Sequence, residues 1–305
     1  PERVGAQGDY YTAPGAHPAF GALLCLQLYQ MWELLGQPRP FWVVEMGAGD
    51  GLLCQAVMQA SAYIPGMFPS SLRYLCLDRW PRRGYEAGLG EALVSRVDRL
   101  ASEAMPLQGV VGCFLSNELL DSFPVHRVTV KDGRLQEIYV TLRDGGFVEQ
   151  VGELSTPRLE ERLQRLGLSL PEGHIAEINL ALEEWVAGLG RALERGFVLT
   201  IDYGHTAPEL YSPRRPRGTL TCYYQHVQVS NPYQRIGRQD MTAHVDFTSV
   251  VEYGRDHGLE ALGLTTQGRF LADLGLGAWL RRLARMGLRQ RELQANRMGM
   301  LELAR

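Results

Sequence analysis

The stretch "FWVVEM" (41–46), followed by glycines at 47, 49 and 51, constrains the fold of this chain more than any other feature. It reads as a buried strand, with one acid, Glu45, set into an apolar run. A chain reversal needs one or two glycines. Three at alternate positions leave a length of backbone without side chains, which something can approach closely. Residues 52 to 62 then read as a helix. Strand, glycine turn and helix in that order belong to parallel sheets, whose crossovers pass through helices.

The same unit recurs downstream. "RYLCLD" (73–78) is a second apolar strand ending in an acid, a helix is expected over about 81–94, and "VVGCFLS" (110–116) reads as a third strand. Upstream, Phe20, Leu24, Leu28, Met31 and Leu35 recur at steps of three or four, the mark of a helix with one buried face, stopped by Gly36 and Pro38. The pattern changes after 125. "VHRVTVKDGRLQEIYVTL" (125–142) reads as a hairpin about a Lys-Asp-Gly-Arg turn, followed by a charged helix near 158–167. Ile178, Leu182, Trp185, Leu189 and Leu193 mark a further helix, "GFVLTIDYG" (196–204) a further buried strand ending in an acid, and 204–220 a Pro/Arg loop. Asp246 suits the N-cap of a helix to about His257, and 259–264 and 298–303 are candidate last strands. The expected fold is α/β: one doubly wound, Rossmann-like domain over 1–305, with hairpin and helical insertions near 125–172 and 204–245.

Composition excludes several classes. With 45% hydrophobic and 21% charged residues the chain is globular. A net charge of −3 gives no general pull toward nucleic acid or an anionic membrane. The one compact basic run, Arg214, Arg215 and Arg217, reads first as a solvated loop. No stretch approaches the roughly 18 apolar residues of a membrane span. The cysteines at 25, 54, 76, 113 and 222 form no C-x-x-C pair, and four sit in apolar runs. Buried reduced thiols, no metal site and a cytoplasmic location are the expectation.

Open α/β sheets bind ligands beyond the carboxyl ends of their strands. "EMGAGDG", "LDRW", "SNELLD" and "DYGH" fall there, each bringing an acid or amide to that edge. The nicotinamide fingerprint G-x-G-x-x-G is not met, because Leu52 stands where its third glycine would fall. Glu45 would repel a pyrophosphate but suits a ligand with a cationic amino group and a sulfonium, which is S-adenosylmethionine. That ligand's carboxylate can sit on N–H groups of the next helix, and Asp78 can accept both ribose hydroxyls. The candidate cofactor residues of the loop are Glu45, Gly47, Gly49, Asp50 and Gly51, joined by Asp78, Asn117 and Glu118. A glycine-rich turn without a ligand and a nucleotide site of another type are the competing readings. In "SNELLDSFPVH", Glu118 and Asp121 are three residues apart, and such a pair shares one face of a helical turn. They are either a carboxylate pair facing the methyl donor or a local cap and a solvated acid.

These residues resemble the MidA-like methyltransferases along nearly the whole chain. "GDYYTAP" (8–14), "EMGAGDG", "SNELLDSFPVH", "TIDYGH" (200–205), "DMTAHVDF" (240–247), "TQGRFLADLG" (266–275) and "MGMLEL" (298–303) follow the family's motifs in order. Each is weak alone and the series is specific. The resemblance implies a protein arginine methyltransferase making symmetric ω-dimethylarginine, with a role in respiratory complex I assembly and a respiratory complex subunit as protein substrate; a homodimer is compatible with it. Glu118 and Asp121 would bind the guanidinium, and His205 and His244 are second candidates as proton acceptors. Thr12 and Pro14 would contact the donor from a lid formed by "GDYYTAP", with Asp9 fixing that loop. A donor-binding assembly factor with little catalysis and a small-molecule or lipid methyltransferase remain alternatives.

Overall fold

The computed structural model describes residues 13–80, 88–225 and 227–304. Two compact units emerge. The first holds the chain to Asn117, Arg191–Ile201 and the segment from Leu262; the second holds Glu118–Gly190 and Asp202–Ala261. Both stretches expected as insertions, 125–172 and 204–245, fall inside the second unit.

The first unit is built on a five-stranded sheet. Its strands are Phe41–Met46, Leu72–Asp78, Val97–Ala101, Val110–Asn117 and Leu193–Ile201. Counted in chain order they lie 3-2-1-4-5, and every pairing is parallel. The central strands read as continuous apolar runs because both of their faces are covered. Phe41, Val43, Leu72, Tyr74, Cys113 and Leu115 join one core with the helices Ala19–Leu34 and Leu52–Ser61. Helix Ala19–Leu34 buries Phe20, Leu24, Leu28 and Met31, the stripe legible in the sequence, and ends before Gly36, whose φ is +78°.

Here the structure departs from the sequence expectation in several places. Of the helix expected over 81–94, residues 81–87 lie outside those described, and only Glu91–Val94 is helical beyond them. Gly88 and Gly90 lower helix propensity there. The edge strand Val97–Ala101 gave no signal, because a half-buried edge tolerates charges such as Asp98 and Arg99. No strand forms at 259–264 or 298–303. The former is irregular, and the latter lies in and just beyond helix Gln290–Glu302, which sends Met300 into the core, as does Leu303 beyond its end. A short apolar run does not by itself tell strand from helix.

The second unit holds an antiparallel sheet in the order Gly146–Gly152, Arg134–Arg143, His126–Lys131, Ile175–Ile178. The expected hairpin is present, and Asp132 and Gly133 both have positive φ, as a two-residue type I′ turn requires. Its outer and inner neighbours were not foreseen. Ile178 ends a strand, so the helix expected from it runs Ala181–Ala192, and Leu193 already belongs to the parallel sheet. Part of the expected 204–220 loop is a short helix, Ala207–Leu210. Asp246 caps helix Phe247–Asp256 as expected, its carboxylate accepting the Thr248 and Ser249 amides at 3.0 and 3.2 Å.

The five cysteines are buried and free. Among the described residues no helix is long and apolar enough to cross a membrane, and no group of three or more His, Cys, Asp or Glu could hold a metal.

Candidate functional site

In the first unit the strand register builds a ligand edge. Met46 pairs with Leu77 on one side and with Ser116 on the other. One step further along the three central strands stand Gly47, Asp78 and Asn117, so the glycine loop, an acid and an amide come level at their carboxyl ends. Gly47, Gly49 and Gly51 have φ of +71°, +54° and +78°, left-handed values that suit glycine and keep the loop free of side chains. Asp78 holds this edge in shape: Oδ2 accepts the Gly49 N–H at 2.9 Å and Oδ1 the Trp80 N–H at 2.8 Å. A carboxylate offers about four lone-pair directions, so each oxygen keeps a further one for a ligand hydroxyl. Asn117 Oδ1 is buried with no hydrogen-bond partner among the described residues. A buried amide oxygen without a donor is costly, and a ligand N–H or O–H would satisfy it.

Glu45 does not stand open to the loop. It is 4% exposed and accepts the Tyr74 hydroxyl at 2.8 Å. Burial pushes its pKa up to about 8, with Asp50 and Asp78 adding to the rise and the Tyr74 hydroxyl and Cys54 amide opposing it. The Cys54 N–H belongs to the first turn of helix Leu52–Ser61, so Glu45 takes part of the helix terminus that the sequence reading left open for a ligand carboxylate. Asp50 occupies another part, accepting the Leu52 N–H at 3.4 Å. The loop residues, Asp78 and Asn117 together form a backbone cradle with an acid and an amide at its rim, and they fit S-adenosylmethionine. Thr12 and Asp9 lie outside the described residues, and Pro14 lies in the short helix Ala13–Ala16.

In the second unit three carboxylates converge. Glu118 has φ +51°, a left-handed value rare outside glycine and asparagine. A 3₁₀ turn, Leu120–Ser122, follows it and brings Asp121 round. Asp202, one residue past strand Leu193–Ile201, reaches the same turn: its Oδ2 accepts the amides of Leu119 at 3.1 Å and Leu120 at 2.8 Å, and its Oδ1 accepts the Tyr203 amide at 2.8 Å. Asp121 is 4% exposed, and its pKa is raised by burial first, then by Asp202 and Glu118. Burial raises that of Asp202 as well, against the backbone N–H groups that bind it. Two such neighbours do not ionise independently, so the pair keeps a proton to higher pH than a lone carboxylate would. Asp202 was visible in the sequence as the acid within "TIDYG", at the end of the apolar strand, but nothing there tied it to Glu118.

His205 and His244 stack with ring centroids 5.3 Å apart. They differ in what they offer. His205 Nε2 faces Arg215 Nη2 at 2.9 Å and its Nδ1 faces Glu209 at 3.3 Å, so both nitrogens are engaged. His244 Nδ1 is buried and unpartnered among the described residues, and its pKa is lowered by burial, then by His205 and Arg215. The lowered pKa favours the neutral imidazole, and its Nδ1 is an open acceptor in the tautomer protonated at Nε2. The Ala243 N–H donates to the Asp121 carbonyl at 2.9 Å, which puts His244 in the segment paired with the acidic turn.

Comparison with known proteins agrees with this chemistry. A family described as "Putative S-adenosyl-L-methionine-dependent methyltransferase" matches residues 23–265. The mitochondrial protein arginine methyltransferase NDUFAF7 homolog of Drosophila melanogaster is 26% identical over 293 residues, covering 88% of this chain and 65% of that protein. The protein arginine methyltransferase NDUFAF7 of Rattus norvegicus is 22% identical over 312 residues, covering 92% and 67%. The chain thus spans about two thirds of the length of these curated relatives. A Burkholderia thailandensis protein crystallised with S-adenosyl-homocysteine superposes with a TM-score of 0.80 at 28% identity, covering 97% of this chain and 74% of that one.

Proposed function

The chain belongs to this family of S-adenosyl-L-methionine-dependent methyltransferases, and from that premise we propose that its acceptor is the guanidinium of an arginine in a protein. The observation that carries the reading is the trio of carboxylates at Glu118, Asp121 and Asp202, with Glu118 held in a left-handed conformation. Acids gathered around a turn suit a cation, and a planar guanidinium is the cation a carboxylate binds in two-pronged fashion. The curated relatives named as protein arginine methyltransferases support the same acceptor.

When bound, S-adenosylmethionine supplies an electrophilic methyl on a sulfonium. The loop at 47–51, Asp78 and Asn117 would hold it; Glu118 is the next residue in the chain after Asn117. Positioning does most of the work in such a transfer, because the leaving group is already good. Arginine is a poor nucleophile while its charge is delocalised. Glu118 would bind the guanidinium and concentrate electron density on the attacking nitrogen. That nitrogen must lose a proton as its new N–C bond forms. His244, neutral and with Nδ1 vacant, is a better acceptor for it than His205, whose nitrogens are engaged. Asp121, its pKa raised by burial and by its two acidic neighbours, would limit the negative charge gathered at the turn.

Symmetric ω-dimethylation, a respiratory complex subunit as acceptor protein, a homodimeric state and a cytoplasmic location belong to the same proposal. They rest on the motif resemblance and, for the last, on five free thiols. The test begins with calorimetric titration by S-adenosylmethionine, with NADH as control, followed by methylation of an arginine-containing peptide. Glu118→Gln should keep donor affinity within about twofold and lose turnover by a factor of at least about 100, the scale of a lost transition-state contact. Full turnover in that variant would remove Glu118 from the role. Donor binding with no methylation of any arginine peptide by the wild-type chain would favour an assembly factor acting by contact.

A further inference from the structure

We propose that Asp202 is a positioning residue that holds Glu118 in its acceptor-binding conformation by clamping the two backbone amides that follow it. The inference rests on the reading of Glu118 as the acceptor-binding carboxylate. A glutamate at φ +51° persists only where its surroundings fix it, since the β and right-handed regions are open to it otherwise. The fixing contacts here are specific. A single oxygen of Asp202 takes the Leu119 and Leu120 N–H groups at 3.1 and 2.8 Å, so two successive amides point at one anion. A left-handed residue followed by a helical turn aims consecutive N–H groups into a common concavity, the geometry that binds anions. The second oxygen is tied to the Tyr203 amide at 2.8 Å, which keeps the carboxylate from rotating away. The Asp121 carbonyl, bonded by the Ala243 N–H at 2.9 Å, closes the far side of the turn.

Two acids thus divide the labour. Asp202 accepts three backbone amides, those of Leu119, Leu120 and Tyr203, and so shapes the turn, while Glu118 is assigned the acceptor. An arrangement serving only to cap the 3₁₀ turn at Leu120–Ser122 would not need a left-handed residue two positions before it. Asn at 202 could keep one oxygen on the Leu119 and Leu120 amides but could not accept the Tyr203 amide with its NH₂ end. Ala would lose all of these bonds.

The test is a double-mutant cycle on the full chain, read by calorimetry with S-adenosylmethionine and with a glycine-flanked arginine peptide, and by the peptide's KM and kcat. Asp202→Ala should keep donor affinity within about twofold and weaken peptide binding by about tenfold or more, in line with losing a charge-assisted contact. Asp202→Asn should recover part of that loss. In a Glu118→Gln background, Asp202→Ala should add little further loss, because both changes act on the same carboxylate. Unchanged peptide binding in Asp202→Ala would overturn the proposal. So would an equal loss with and without the Glu118 carboxylate, since Asp202 would then act independently of it. If Glu118→Gln itself leaves peptide binding and turnover intact, the acceptor reading fails and the positioning role falls with it. Should Asp202→Ala fail to fold, the Asn variant carries the same cycle.

Discussion

Replacing Glu45 by glutamine should remove a pH dependence of stability that the wild-type chain carries. Glu45 sits in the middle strand of the parallel sheet, with its pKa moved from 4.5 to about 8, chiefly by burial. An acid whose pKa is raised in the folded state is favoured by folding in its neutral form. Its contribution is complete below about pH 4.5 and is lost as pH rises toward 8. At about 1.4 kcal/mol per pKa unit, the loss across that window is about 5 kcal/mol as an upper bound. Glutamine keeps the volume and a carbonyl to accept the Tyr74 hydroxyl, but it has no proton to give up. Urea unfolding of both proteins at pH 5, 7 and 9 measures the difference directly. Titrating groups that do not interact with Glu45 cancel in the difference, so it should move in favour of the variant by ~2–5 kcal/mol between pH 5 and 9. A difference constant to within about 0.5 kcal/mol would refute burial of an ionisable Glu45 as the cause.

The remaining predictions concern the loop and a helix end. Asp78→Ala frees the Gly49 and Trp80 amides, and at ~1.5–3 kcal/mol per charge-assisted bond the affinity for S-adenosylmethionine should fall by about tenfold or more in calorimetry. Unchanged affinity would mean that the loop keeps its shape without that carboxylate. Asp246→Ala removes the cap of helix Phe247–Asp256 and should cost about 1–2 kcal/mol, seen as a Tm lower by a few degrees. An unshifted Tm would show that Asp246 is not the cap that matters there.

The parallel sheet was legible from residue types alone, because strands buried on both faces must be apolar and the glycines that follow the first can be accommodated in few other ways. "FWVVEM", "RYLCLD" and "VVGCFLS" each became central strands, and Gly47, Gly49 and Gly51 each took positive φ. The Asp-Gly hairpin and the Asp246 cap were legible for the same kind of reason, since each is a local solution to a backbone problem. Elements whose form depends on partners were not. The edge strand Val97–Ala101 has too little burial to leave an apolar imprint, and "MGMLEL" packs as helix only because the first unit's core receives Met300 and Leu303.

The site divides along the same line. Sequence supplied the chemical types at the strand ends, Glu45, Asp78, Asn117, Glu118 and Asp121, since an acid or amide after an apolar run stands out. Tertiary structure alone decided their states. It buried Glu45 against Tyr74, spent Asp78 on two loop amides and left Asn117 Oδ1 without a donor. It also brought Asp202, 84 positions beyond Glu118, onto the amides that fix that residue's turn. Hydrogen bonding and burial between residues far apart in the chain set protonation and conformation, and a linear pattern carries residue type without that distance information.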